Sequence, residues 1–379
     1  MKIYDVIILG GGASALMCAS HLNKNLKTLI IETNKKTAQK LKISGGGKCN
    51  ITNTQMSENN FDGDDEFVKN VLKNYSKDDL LEFLSTNKIP PIIRKNRYYF
   101  FQKSSDEIIS LFTKKTQHIK KMLDTQILGA LKKDNIFEVS TSKGIIQGKK
   151  LIVATGGKSF KNLGASDIGL KIAKGFGIHT KEFAPALVGL TLQKDQFWMK
   201  ELSGLSCEVK IKVGNKTVCE DLLFAHRGIS GPAVLSASLY WKKGNISIDF
   251  LPNTDISKII TKSKKLISSA IPLPKRLSKA ILKALNIKDC ECKKTDKQTK
   301  EQLKLIHNYE FAPAGNFGFD KAEVSRGGVI TTDIDSKDMQ SKDIKGLYFI
   351  GEVLNVTGEL GGYNLQWAFS SGFVCAKSL

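Results

Sequence analysis

Within its first 32 residues the chain places a strand, a glycine turn, a helix and a second strand, and no other feature constrains its fold as tightly. Residues 3–9 (IYDVIIL) are a short apolar run rich in β-branched side chains. Gly10-Gly11-Gly12-Ala13-Ser14-Ala15 follows, then a helical stretch to about Asn23, then a second strand from Thr28 to Glu32. Gly10, Gly12 and Ala15 fit G-x-G-x-x-G/A, and Glu32 stands 22 residues past Gly10 at the end of the second strand. This is the dinucleotide fingerprint in the βαβ context it requires. Gly10 permits the tight turn, and Gly12 lets backbone approach a pyrophosphate. The helix start at Ala13-Ser14-Ala15 offers that pyrophosphate N–H groups, while Glu32 can accept hydrogen bonds from a ribose.

Three later segments share this character. Ser44-Gly45-Gly46-Gly47-Lys48-Cys49-Asn50 follows a helical stretch from Lys35 to Ile43. Gly46 and Gly47 read as backbone pressed against a flat ligand, the alternative being a flexible surface turn. A strand from Lys150 ends in Ala154-Thr155-Gly156, and another from Lys345 ends in Gly351-Glu352. Gly361-Gly362-Tyr363-Asn364 then opens a last helix from Leu365. The fingerprint and the two strand ends can converge on one extended cofactor, and FAD suits them better than NAD. No second G-x-G-x-x-G follows a strand, so NADH or NADPH would serve as a transient reductant.

A chain of 379 residues has room for two or three domains. Residues 187–251 alternate in the manner of an antiparallel sheet or small barrel, as in Val209, Ile211, Val213 and Ile246, Ile248, Phe250. From Ile256 to Lys304 helical spacing returns, with Pro272 and Pro274 separating two helices, and residues 68–122 also read as helical with a break at Pro90-Pro91. The expectation is an α/β protein whose Rossmann-like FAD-binding domain is discontinuous, 1–187 and 315–379. It is interrupted by an insert at 188–314, β-barrel-like over 188–252 and basic and helical over 253–314.

Lys and Arg number 58 against 37 Asp and Glu, a net charge of +21, but only five of the cations are Arg. A polyanion partner and an AT-biased coding sequence both account for the excess of Lys. Its distribution is uneven: Ile256 to Lys304 holds 14 cations and 4 acids, and Lys88 to Lys121 nine and two. The second stretch interleaves Arg94, Lys95 and Arg97 with Tyr98 and Tyr99, a mixture suited to single-stranded nucleic acid or to a solvated face. Seven cysteines show no CxxC pair, and no His cluster has zinc spacing, so no metal site is expected and the thiols read as reduced in a cytoplasm. A first strand beginning by residue 3 leaves no room for a signal peptide, and no apolar run reaches membrane-spanning length, so a cytoplasmic protein without a membrane partner is expected. Oligomeric state leaves no mark in the sequence.

The segments GGGASALMCA at 10–19, SGGGKCNITN at 44–53, LFAHRGISGPAVL at 223–235 and GLYFIGEVLNVTGELGGYNLQWAFSSG at 346–372 together resemble the BaiN-like family of FAD-dependent flavoproteins. The resemblance spans nearly the whole chain. It implies an FAD domain of the glutathione-reductase type and reduction of a conjugated C=C bond. The substrate would be either uridine in large-subunit ribosomal RNA, giving dihydrouridine, or a small unsaturated metabolite of bile-acid type; the local excess of cations favours the RNA. A third possibility is a flavin-containing RNA-binding protein without turnover. Hydride would reach C6 of an extruded uracil and a side chain would protonate C5. On this reading Glu352 holds the ribityl chain, Gly361 and Gly362 admit the isoalloxazine, and the helix they open stabilises negative charge on the reduced ring. Cys49 is the first candidate proton donor, with a buried packing cysteine as the alternative; Cys207 is the second and His226 the third. The chain departs from the family pattern at Ala15, at Asp167-Ile168-Gly169 and at Asn355.

Overall fold

The computed structural model describes residues 3–260 and 263–379. Met1 and Lys2, the start of the expected first domain, lie outside the described residues, as do Thr261 and Lys262 of the basic segment. The chain divides into two compact units: one takes everything up to Pro185 together with Glu323–Leu379, the other Ala186–Ala322.

Among the described residues the first unit is built on a seven-stranded sheet. Five of its strands run parallel in the order Lys120–Met122, Thr28–Ile31, Ile3–Leu9, Gly144–Val153, Leu347–Phe349. Val6 to Leu9 and Leu29 to Ile31 are fully buried, which explains why both strands read as unbroken apolar runs rather than alternating ones. In the long strand, Leu151–Val153 pairs in parallel with Leu347–Phe349, while Gly144–Gly148 takes an antiparallel hairpin, Ile127–Lys133 with Ile136–Thr141. Strand order reverses between Ile3–Leu9 and Gly144–Val153, and the crevice beyond their carboxyl ends is where doubly wound sheets bind ligands.

The stretch expected to be helical from 68 to 122 departs from that expectation. Helices occupy Asp65–Asn74, Lys77–Thr86 and Asp106–Lys115, but Ile92–Arg94 and Tyr98–Phe100 form a hairpin whose second strand also pairs with Asn50–Asn53. Two prolines end the helix, and Ile92, Ile93, Tyr98, Tyr99 and Phe100 suit a pleated surface. Lys95 and Asn96 turn the chain with φ of +49° and +51°, the handedness that matches strand twist. Arg94 and Arg97 lie over the rings of Phe100 and Tyr98, both at 5.2 Å.

The second unit is a seven-stranded antiparallel sheet among the described residues, in the order Tyr309–Phe311, Ile246–Asp249, Ser206–Val213, Lys216–Ala225, Gly228–Ser230, Leu190–Thr191, Gly315–Asn316. The last pairing carries this unit on to Ala322, past residue 314. Short helices at Ile256–Ile259, Ile267–Ala270, Lys275–Ala284 and Lys297–Leu303 follow the sheet. Each unit has its own hydrophobic core, and in the second Leu277, Ile281 and Leu282 join Val209, Ile211, Ile248 and Phe250. Among the described residues no helix is long and apolar enough to cross a membrane, and no group of three or more His, Cys, Asp or Glu side chains is placed to hold a metal ion.

Candidate functional site

The crevice of the first unit begins at Gly10. Its φ is +101°, and a Cβ there would lie 2.5 Å from the carbonyl oxygen of Ala154. Its N–H donates to Ile31 O at 2.8 Å, so one glycine ties the ends of three parallel strands together. Gly12 caps the helix Ala13–His21 without any side-chain hydrogen bond, and the space beside its Cα is open. An uncapped helix start facing open space can receive an anion.

Glu32 follows the second strand directly and is 8% exposed. Its Oε2 accepts the Gly11 N–H at 2.6 Å, and its Oε1 accepts both the backbone N–H and the side-chain Nδ2 of Asn34, at 2.8 and 2.7 Å. A carboxylate offers about four acceptor positions, so room for a hydroxyl donor remains. Asn34 also donates to Leu163 O at 2.9 Å and so pins the carboxylate to a second loop.

A second carboxylate, Glu352, is held just as firmly beyond the strand Leu347–Phe349. Oε1 accepts the Ser325 N–H at 2.9 Å and Oε2 accepts Lys40 Nζ at 2.7 Å, both side chains keeping part of their surface in solvent. Gly351 before it is gripped by Ser371 Oγ on its N–H, at 3.0 Å, and by Trp367 Nε1 on its carbonyl, at 3.1 Å. Ser325 Oγ accepts the N–H groups of Lys158 and Ser159, fixing the loop that follows Ala154-Thr155-Gly156. Sequence reasoning passes over Asn34, Lys40 and Ser325; Lys40 and Glu352 are 312 residues apart, and no local pattern joins them.

The glycine triplet is left-handed throughout, with φ of +56°, +65° and +81° at Gly45, Gly46 and Gly47. Lys48 returns to φ −103°, and Cys49 then takes +53° with no exposed surface. Burial pushes its thiol up to about 12, against a hydrogen bond to Ser44 that acts the other way. Cys49 is thus protonated at neutral pH and holds its proton more tightly than a free thiol does.

The last helix begins at Tyr363, two residues before the expected start. The closeness that Gly361 and Gly362 permit is to protein: Cβ atoms there would meet Tyr98 Cε1 at 2.7 Å and Thr52 O at 2.6 Å. Asn53 Nδ2 donates to Gly361 O at 3.0 Å, Tyr363 OH donates to Gln55 O at 3.2 Å, and the Asn364 amide accepts from Gly358 N and donates to Gly358 O. Asn53 thus ties the helix start to the strand Asn50–Asn53, Tyr363 ties it to Gln55 just past that strand, and Asn364 ties it to Gly358.

Room and donor chemistry in this crevice fit a dinucleotide. Backbone at Gly12, Gly46 and Gly156 faces open space, the helix start lacks a cap, and Thr155 Oγ1 is buried with no hydrogen-bond partner in the protein. Of the other donor candidates, both in the second unit, Cys207 is half-buried and its thiol is pushed up to about 12 by burial, then by Asp221. His226 is exposed in the turn before Gly228–Ser230. Of the departures from the family pattern, Ala15 is fully buried, Asp167 pairs with Lys171 at 3.0 Å, and Asn355 donates its N–H to Val329 O at 2.8 Å.

The family of the HI0933-like protein Rossmann domain matches residues 4–378. The chain is 33% identical over its full length to a ribosomal RNA dihydrouridine synthase of Escherichia coli (strain K12), covering 98% of that protein. It is 35% identical to the ribosomal RNA dihydrouridine synthase of Haemophilus influenzae, over 98% of each chain. A 3-dehydro-bile acid delta(4,6)-reductase of Clostridium scindens is 26% identical, again over 98% of each. Among solved structures, a 3-ketosteroid delta1-dehydrogenase from Sterolibacterium denitrificans shares the fold, with a TM-score of 0.51 at 12% identity over all of this chain and 99% of that one.

Proposed function

The chain belongs to the HI0933-like Rossmann family and is a flavin-dependent oxidoreductase, and from that premise we propose that FAD is its cofactor and that it reduces uridine to dihydrouridine in large-subunit ribosomal RNA. One observation carries this reading: end-to-end identity of 33% and 35% to two proteins with that activity in their names. In balance, uridine, NADH or NADPH and a proton give dihydrouridine and NAD(P)+. When bound, FAD would supply the hydride chemistry that links oxidation of the nicotinamide to reduction of the C=C bond.

The chain's own residues bind and orient. Glu32, aimed by Gly11 and Asn34, takes the adenosine ribose, and the uncapped start of Ala13–His21 takes the pyrophosphate between Gly10, Gly12, Ala13, Ser14 and Ala15. Gly46, Gly47, Ala154, Thr155 and Gly156 line the path with backbone. Glu352, steadied by Lys40 and Ser325, takes the ribityl hydroxyls. Gly361, Gly362, Tyr363 and Asn364 set the start of the last helix, whose positive end would favour negative charge on a reduced ring held near it. We read Cys49 as a packing residue of the glycine loop and do not assign it the proton, because its sulfur is sealed from solvent. We take the second unit as the insert that meets substrate, and the cytoplasm, where ribosomal RNA is found, as the site of action.

The bile-acid reductase relative supports a second reading, a reductase of a small unsaturated metabolite. Nucleoside mass spectrometry of ribosomal RNA from a strain lacking the gene, its parent and a complemented strain separates the two. Dihydrouridine is expected to vanish and return on complementation. Dihydrouridine unchanged in the deletion strain, or absent from the parent, would hand the case to the small metabolite.

A further inference from the structure

The helix Lys275–Ala284 is built against the ordinary rules of helix electrostatics. Its first turn holds Lys275 and Arg276 and no acid, its N-cap is Pro274, and no side chain caps it. Cations there face the positive end of the helix dipole. Lys275, Lys279 and Lys283 follow at intervals of four, where like charges oppose helix formation. All three are exposed, and none of them, nor Arg276, has an ion pair among the described residues. Arg276 donates to Glu201 O at 2.8 Å, a neutral partner that leaves the charge uncancelled.

Coding bias toward Lys does not explain this arrangement. Three other helices of ten residues, Asp65–Asn74, Lys77–Thr86 and Asp106–Lys115, each carry two acids in the first turn. Asp64 caps the first of them and Ser76, in a reciprocal box with Asp79, the second. Ile168–Gly175 and Pro232–Tyr240 also lack first-turn acids, but neither puts a cation there, and among the described ten-residue helices only Lys275–Ala284 opens on two cations with no acid. Departures from such local consistency concentrate where function requires them.

We propose that the exposed face of Lys275–Ala284 binds the phosphate backbone of RNA. The inference rests on RNA being the substrate and adds where the chain holds it. Lys275 to Lys283 spans about 12 Å at 1.5 Å per residue, enough to meet several successive phosphates of one strand. A lipid surface is the poorer match, because Leu277, Ile281 and Leu282 are spent in the core and leave no apolar face to insert.

The test uses the full-length, flavin-loaded protein and an in vitro transcript of 23S ribosomal RNA, with affinity measured from low to moderate salt. Each lysine–phosphate contact contributes about 0.7–0.9 to the slope of log K against log salt. Lys275→Gln, Lys279→Gln and Lys283→Gln combined should cut the slope by about two and weaken binding on the order of a hundredfold at 0.1 M salt. The flavin absorbance spectrum should stay unchanged, and the triple Lys→Arg variant should bind like the parent. If the parent binds with a steep slope and the Gln variant binds equally well, the helix assignment is wrong while RNA reduction stands. A parent that shows no salt-sensitive RNA binding defeats the RNA reading itself, and binding of parent but not variant to phosphatidylglycerol vesicles, without RNA binding, would reassign the face to a membrane.

Discussion

Glu32 owes its position to the second strand but its aim to two neighbours, the Gly11 N–H and Asn34, which hold both carboxylate oxygens before any ligand arrives. A carboxylate fixed in this way loses little side-chain entropy on binding, and its hydrogen bonds to ribose hydroxyls are charge-assisted. Glu32→Gln turns one acceptor into a donor that must face either Gly11 N–H or Asn34. Losing one hydrogen bond to a charged group costs about 1.5–3 kcal/mol, so the flavin dissociation constant should rise about tenfold to a hundredfold. Fluorescence titration of the apoprotein with FAD checks this, and an unchanged constant would detach Glu32 from the cofactor. Glu32 is legible in the sequence because its reason is local: strand, turn, helix and strand fix its distance from Gly10. Lys40 is not, since its partner Glu352 is brought to it only by the fold. Cys49 illustrates the opposite error of emphasis: residue type suggests a proton donor, but complete burial is a property of the packed glycine loop that its sequence does not display.

Elements were legible where periodicity was long or punctuation strong, as in four of the five parallel strands and in the helix after Pro274; the fifth strand, Lys120–Met122, is only three residues long and lies in the stretch read as helical. The hairpin at Ile92–Arg94 and Tyr98–Phe100 was missed because its turn, Lys95-Asn96, lacks the glycine that usually marks a left-handed pair of residues. Helix Ala13–His21 ends on a histidine whose environment makes a testable demand. His21 packs between Phe83 and Phe373, both ring centroids at 5.0 Å, with Nδ1 2.9 Å from Met17 O. Burial lowers its pKa, Lys115 and Lys377 lower it further, and the Met17 contact opposes them. A histidine with a depressed folded pKa contributes stability that is present above its unfolded value, about 6.5, and lost as pH falls through the window below it, because the unfolded chain then binds the extra proton. Unfolding free energies from urea titration should therefore change little from pH 7.5 to about 6.5 and drop from there to about 5.5, with a limiting slope of about 1.4 kcal/mol per pH unit from this one group. His21→Gln, which cannot take that proton, should lose less over the same interval. An equal loss in both proteins would show that the ring is not penalised on charging.

For the molecule as a whole, the separation of the two cores carries its own prediction. Every side chain and turn assigned above to FAD lies in the first unit, while the basic helix belongs to the second, which closes a core of its own. A ligand that binds one folded unit stabilises that unit by RT ln(1 + [L]/Kd), about 2.7 kcal/mol at a hundredfold excess over Kd. In a unit of this size each kcal/mol shifts the midpoint by about 2–4 °C, so a shift of roughly 5–10 °C is expected. Calorimetry of the apoprotein should resolve two transitions, and added FAD should move only one of them. The transition that stays should instead respond to charge on the basic face, since replacing Lys275, Lys279 and Lys283 by Gln removes the i,i+4 repulsion that the folded helix must tolerate. A single transition that moves as one with FAD would mean that the insert does not unfold independently, and the cost of the lysine face would then be carried by the flavin domain as well.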